Sequence, residues 1–385
     1  MGNMRKIFIF LSIYTCISFV LPMKIRKIGK IMLIIILLFS SQMFNFYRKF
    51  GGLWFSPELP RIIMIIYPWL LSSLCLLTFL TLFKDIFLII RLIVGIFGKK
   101  IRNIFSIRKF QLFTLIFCYF LGAFSVWEAV KVPNVKVQEV YFDKLPKELD
   151  GTTIILIADL HSSALNNHSF VEGVVKKVNK LNPDLILFNG DMIDGSVKNR
   201  TNDVEPLKNL KSKYGIFGSL GNHDFYLDHH KWLKKFDELG IKILVNQHKN
   251  ININGNFITI IGINDIQGTR SKLIGPDIVK ATKGINKNNV TLLLDHRPEF
   301  APKNAKYNID LQLSGHTHGG MVLGLDRYIA RHNNGYVSRW YDVGNMKLYV
   351  SNGTSLWCGF PIRLGVPAEI TKFILRSKKD SNKNN

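Results

Sequence analysis

Hydrophobic residues fall along this chain in two regimes. Up to about residue 130 they run in long blocks, at 7–23, 31–47, 62–83 and 110–127, with short basic stretches between them. Roughly 17–25 predominantly apolar residues are what a helix needs to cross a bilayer core, so four spans are expected. A further apolar stretch, 86–97, is interrupted by Arg91 and is too short to cross, which suggests a segment lying at the interface. The first block follows Arg5 and Lys6 as a secretory signal would, but no small-x-small cleavage site comes after it, so it reads as an uncleaved helix. The length of the blocks and the basic clusters between them argue against buried helices of a soluble protein.

From Val135 the pattern changes. Val135, Val137 and Val140 alternate with polar residues, the period of a half-buried strand. Short apolar runs follow at 153–158, 185–188, 216–220, 257–263, 290–294, 309–313, 347–350 and 369–375, and helical stretches are expected at 170–180, 205–211, 229–239 and 276–283. Strands alternating with helices predict an α/β layered domain over 131–376. The Lys/Asp/Asn-rich tail, 377–385, is expected to be disordered.

Charge sharpens the division. Residues 1–130 hold 16 Lys/Arg against three acids, Glu58, Asp85 and Glu128, and all ten His lie at or after His161. The first part therefore reads as an anchor and the second as the chemical part. Given four spans, loops 24–30 and 84–109 carry eleven Lys/Arg, while the N-terminal tail and loop 48–61 carry five. The positive-inside rule then puts the first pair of loops in the cytoplasm and everything after Trp127 outside, in a multi-pass membrane protein. Much of the net charge of +24 lies beside the apolar blocks, where it serves topology and anionic lipid, so nucleic acid is not an expected partner. No protein partner is implied.

Five of the apolar runs end in polar clusters: Asp159-Leu160-His161, Asn189 through Asp194, Gly221-Asn222-His223-Asp224, Asp295-His296, and Ser314 through Gly320. Ligands of α/β sheets bind at the carboxyl ends of strands. Taken singly, most of these clusters could be turns or caps, but Gly-His-Thr-His-Gly-Gly is hard to explain that way. Two divalent ions need about seven or eight donors with one carboxylate shared. Asp159, His161, Asp191, Asn222, His296, His316 and His318 supply that number. Carboxylate and imidazole suit Mn, Fe or Zn, and the absence of thiolate excludes a zinc ribbon. His223 is left over, available to face a substrate.

This ordered set resembles the calcineurin-like metallophosphoesterase family over about residues 150–375, most nearly its membrane-anchored bacterial branch. Leu294 through Pro298, Ser314 through Gly320, Ser351-Asn352-Gly353 and Pro361 through Gly365 carry that likeness. A Gln often follows the paired glycines in the branch, whereas Met321 stands here. The resemblance implies two mixed β-sheets packed face to face with helices outside. It assigns Asp159, His161, Asp191 and His318 to one metal and Asp191, Asn222, His296 and His316 to the other. His223 would meet the phosphoryl or leaving oxygen, steadied by Asp224, with Asp194 merely structural. The implied reaction is hydrolysis of a phosphomonoester, phosphodiester or pyrophosphate by a hydroxide bridging two metals. An anchored domain suggests a membrane-associated or lipid-linked substrate, such as UDP-2,3-diacylglucosamine. The competing expectation is a membrane-bound binding protein that keeps the metals without turnover.

Overall fold

The computed structural model describes residues 2–98, 101 and 103–378. Lys99, Lys100 and Arg102 of the third basic loop lie outside this range, as does the tail from residue 379 on. The chain divides into two compact units: one ends at Glu128 and also takes in Gly359–Ile362, and the other begins at Ala129.

The first unit is helical: α1 (Gly2–Thr15), continued by a wider turn over Cys16–Val20, then α2 (Lys27–Ser40), α3 (Met43–Phe50), α4 (Arg61–Ile96) and α5 (Arg108–Val130). The four expected spans are not matched one for one. Among the described residues only α4 and α5 are long and apolar enough to cross a membrane alone, and the pair α2–α3, bent by 57°, adds a third if taken as one span. Fourteen residues of α2 reach only about 21 Å at the helical rise, short of the roughly 30 Å core.

The stretch 86–97, expected as a separate interfacial piece, instead continues α4, whose 36 residues extend about 54 Å. The charges at Lys84 and Asp85 do not break this helix because they are paired. Lys84 Nζ lies 2.8 Å from Asp85, and Tyr14 and Ser18 of the first helical segment donate to the same carboxylate. Small and hydroxylated residues let these helices approach closely. Thr15 and Thr78 share a hydrogen bond at 2.7 Å, as do Ser72 and Ser125 at 2.8 Å, and a Cβ on Gly122 would strike Ser73.

The second unit contains, in chain order, β1 (Asn134–Phe142), β2 (Thr153–Ala158), α6 (His168–Asn179), β3 (Leu185–Asn189), α7 (Val197–Val204), β4 (Ile216–Ser219), α8 (His229–Glu238), β5 (Lys242–Ile243), β6 (Gln247–Ile253), β7 (Asn256–Gly262), β8 (Val290–Leu294), β9 (Leu311–Ser314), β10 (Arg339–Val343), β11 (Met346–Val350) and β12 (Glu369–Ser377). Two six-stranded mixed sheets result, ordered β1-β12-β2-β3-β4-β5 and β10-β11-β9-β8-β7-β6. In the first, β2, β3, β4 and β5 are parallel. In the second, β7, β8, β9 and β11 are parallel.

Strand periodicity sends alternate residues to opposite faces. Ile154 and Leu156 join Leu185, Leu187, Ile258, Ile260, Leu292 and Leu313 in a core between the sheets. Ile155, Ile157, Ile186 and Phe188 face outward, against Phe170, Val171, Val174 and Val178 of α6 and Trp232 and Phe236 of α8. The outer face of the second sheet is covered separately, with Ile261, Leu293 and Leu348 packing on Ile278, Ala281 and Ala301. The helix expected at 205–211 is a tight turn over Glu205–Asn209 with Pro206 at its start, and α7 ends just before it. Ser196 caps α7 by accepting from Asn199.

Leu292 is fully buried between the sheets, whereas Val137 on edge strand β1 is 54% exposed. Leu292→Ala is expected to destabilise the chain by about 2–5 kcal/mol. Val137→Ala should cost less than about 0.5 kcal/mol. Thermal unfolding of the detergent-solubilised protein compares them, and equal shifts would contradict this layering.

Candidate metal centre

The expected donors converge at strand ends of both sheets. β2 runs into Asp159 and His161, β3 into Asp191, β4 into Asn222 and His223, β8 into His296, and β9 into His316 and His318. Asp159, His161, Asp191, His296 and His318 are almost wholly buried. Asp191 Oδ2 lies 3.2 Å from His296 Nε2 and 3.6 Å from His161 Nε2. Asp159 Oδ1 lies 3.6 Å from His318 Nε2 and 4.0 Å from His296 Nε2. Donor atoms of Asp159, His161 and His318 gather within 4.8 Å of one another, as do those of Asp191, His296 and His316.

This convergence requires unusual backbone. Asp159, His161, Asp191, His316 and His318 all have left-handed φ, between 42° and 68°. That conformation costs a non-glycine residue roughly 1–2 kcal/mol, and such strain clusters at functional sites. Hydrogen bonds between the loops hold it. His161 N donates to Asp191 O at 2.9 Å, Asp159 N to Gly190 O at 3.1 Å, and His316 N to Asp159 Oδ1 at 3.0 Å. Two glycines make room for the carboxylates, since a Cβ on Gly221 would strike Asp191 Oδ1 and one on Gly315 would strike Asp159 Oδ2.

The imidazoles are oriented from behind. His296 Nδ1 meets Asn189 O at 3.0 Å, and His318 Nδ1 meets Ser355 O at 3.2 Å. A neutral ring donating through Nδ1 to a carbonyl keeps its lone pair on Nε2, the arrangement of a metal-binding histidine. His161 Nδ1 lies 3.2 Å from Asp194 Oδ1. Among the described residues the buried Nε2 atoms of His161 and His296 make no well-formed hydrogen bond, although both face Asp191 Oδ2. Lone pairs of this kind, aimed at a shared carboxylate, fit a bound cation and are costly without one.

Electrostatics points the same way. Burial pushes the Asp159 carboxyl up to about 6. Burial also opposes charge on Asp191, but the His296 and His223 imidazoles hold it well below the usual carboxylate range. Although burial opposes their protonation, Asp191 raises His296 to about 10 and Asp194 raises His223 to about 9. Burial keeps His316 and His318 well below the usual histidine value, helped by the positive charge of Arg297 beside His316 and by the neighbouring His161 ring beside His318. Buried carboxylates thus draw positive charge into the box, and protons and divalent cations are alternative ways to supply it.

The two acids beside His223 have exchanged their expected parts. Asp224, expected to steady the ring, acts on it through its charge, while its carboxylate accepts from the backbone N–H groups of Gly221 at 2.8 Å, Asp191 at 2.9 Å and Met192 at 3.0 Å, tying two loops together. Asp194 holds the ring, with Oδ1 2.5 Å from His223 Nδ1 as well as 3.2 Å from His161 Nδ1. Both acids lie in turns, and which one reaches the ring depends on loop dihedrals that composition does not reveal.

Other contributors lie in or near runs that the sequence singles out without giving them a role. Asn189 orients His296 through its carbonyl and bonds Leu313 O and Ser219 Oγ. Fully buried Arg363 donates to the carbonyls of His318, Asn352, Ser355 and Val366. The Trp357 ring stands 5.2 Å from His318. Asn189 sits in a polar cluster visible in the sequence, but nothing marks it off from a turn residue.

A family model for calcineurin-like phosphoesterases matches residues 152–320, which include the whole cluster. An uncharacterized metallophosphoesterase of Campylobacter jejuni is 34% identical over 307 residues, 79% of each chain. One from Helicobacter pylori is 31% identical over 284 residues, covering 74% of this chain and 73% of its own. A transmembrane protein with metallophosphoesterase domain from Danio rerio is 31% identical over 271 residues, 68% of this chain and 62% of that one. With this similarity and a buried Asp/His box at the strand ends, the chain belongs to the calcineurin-like metallophosphoesterases, metal-dependent hydrolases of phosphoesters.

Proposed function

We propose that this chain hydrolyses a phosphoester or pyrophosphate bond in a membrane-associated, lipid-linked substrate, with two divalent cations held by its buried Asp/His box. Asp159, His161, Asp191 and His318 would hold one cation, and Asp191, Asn222, His296 and His316 the other. The observation that carries this is the pair of buried Nε2 atoms, from His161 and His296, both within 3.6 Å of Asp191 Oδ2 and without a well-formed hydrogen bond among the described residues. Cations so held would acidify a water and neutralise phosphoryl oxygens.

The chain's own groups have separable duties. Asp191 serves both sides of the box. His223 holds a proton for the leaving oxygen, with Asp194 on its Nδ1 fixing the ring and stabilising its charged form. Asp224 keeps the loops of Asp191 and Gly221 in register. A binding protein that keeps the metals without turnover would not need the Asp194–His223 pair, which is present here. The apolar helices favour a substrate that resides in the membrane, and the second part of the chain, with 35 Lys/Arg against 24 acids, favours an anionic one. With α2–α3 taken as one span beside α4 and α5, the seven Lys/Arg of 84–109 against three in 48–61 favour a multi-pass protein with its catalytic unit outside, and the Campylobacter and Helicobacter relatives favour a bacterial cell membrane.

Metal analysis of the purified chain after reconstitution with Mn²⁺ or Zn²⁺ should give close to two ions, and chelation should abolish activity. An absence of bound metal would exclude the proposal. Asp191→Ala should lose at least one ion together with activity. His223→Ala should keep both ions and lose roughly 10²–10⁴-fold in rate on a panel of soluble and lipid-linked esters. Metal loss from His223→Ala with both ions retained in Asp191→Ala would reverse the assigned roles. For topology, a reporter active only outside the cytoplasm, fused after Asn385, should be active; activity of a cytoplasm-only reporter there would invert the orientation.

A further inference from the structure

Arg297 follows His296 directly and has no part in the duties assigned above. Its side chain is only 12% exposed. Nε donates to Asp265 Oδ2 at 2.6 Å, and Asp265 is itself buried, its other oxygen accepting from Gln267 N at 2.7 Å. The guanidinium is thus anchored at its base. Its two terminal nitrogens face the box: Nη1 lies 3.0 Å from His316 Nε2, and Nη2 lies 3.3 Å from Asn222 Oδ1. Glu299 is its other acidic neighbour, with Oε1 3.9 Å from Nη1.

A permanent positive charge beside a cation site is unfavourable unless an anion is to be shared between them. Asp265 neutralises the charge from the side away from the box, while among the described residues the hydrogen bonds of the front N–H groups go to the neutral His316 and Asn222, with Glu299 farther off at 3.9 Å. A planar fork of donors matches two oxygens of a phosphate better than it matches an amide oxygen and an imidazole nitrogen. We propose that Arg297 binds the non-bridging oxygens of the substrate's phosphate, held in readiness by Asp265. This rests on the two-cation reading, in which Asn222 and His316 turn to a cation and the Arg297 fork turns to the anion beside it. The other role open to Arg297 is a structural one, positioning Asn222 and His316.

The test uses the full chain loaded with Mn²⁺, with metal content and inorganic phosphate affinity measured on the same preparations. Arg297→Gln should keep both ions and weaken phosphate binding roughly 10- to 100-fold, the range for losing hydrogen bonds to a charged group. Arg297→Lys, with its charge but no fork, should fall between. Because Arg297→Gln leaves Asp265 buried without its partner, the double variant Asp265→Asn/Arg297→Gln removes that penalty and should show the same loss of phosphate affinity. Unchanged phosphate binding in the double variant would overturn the proposal. Loss of a metal ion from the double variant would also overturn it, making Arg297 a positioning residue for the ligands. Failure of the two-cation reading would appear separately, as fewer than two ions in the unsubstituted chain.

Discussion

One carboxylate must serve two groups of donors, and the second unit is arranged around that constraint. Asp191 follows β3 of the first sheet, yet its Oδ2 lies 3.2 Å from His296, which follows β8 of the second. The same atom lies 3.6 Å from His161 after β2. Two sheets packed face to face bring these strand ends together, and neither sheet alone holds the full set. The inter-sheet core of Leu, Ile and Val therefore does more than stabilise the unit: it sets the distance between halves of the site.

Holding such a cluster has a conformational cost. Five proposed ligands adopt left-handed backbone, and buried carboxylates crowd against imidazoles. Loop-to-loop hydrogen bonds repay part of it, and Asp224, accepting three backbone N–H groups, is the clearest example. Glycines 221 and 315 supply the space. Cations would supply the missing positive charge, so the box is strained and electrostatically incomplete in the manner of a preorganised site.

Most of the strand framework was legible because buried parallel strands such as β2, β3 and β8 are unbroken apolar runs, and their bounds match or nearly match the expected ones. β6 and β10 were not legible. Both are edge strands of the second sheet, with exposed polar positions that little packing constrains. In the first unit, the pair Lys84–Asp85 reads as the end of a span, yet paired charges let α4 continue to Ile96. The donor residues themselves were legible from their place after strands. The partners behind them were not: Asp194 and Asp224 differ only in loop geometry, and Arg297, though part of a run that carries the family likeness, shows no duty of its own in the sequence. Side-chain direction in irregular loops follows from tertiary contacts that linear patterns do not encode.

The central claim is that Asp191 joins two cations in one site. Electron paramagnetic resonance of the Mn²⁺-loaded chain tests it most directly, because manganese ions sharing a carboxylate are magnetically coupled. The account predicts a coupled-pair spectrum for the unsubstituted chain that collapses to an isolated-ion signal in Asp191→Ala. An isolated-ion spectrum from the unsubstituted, fully loaded chain would contradict it.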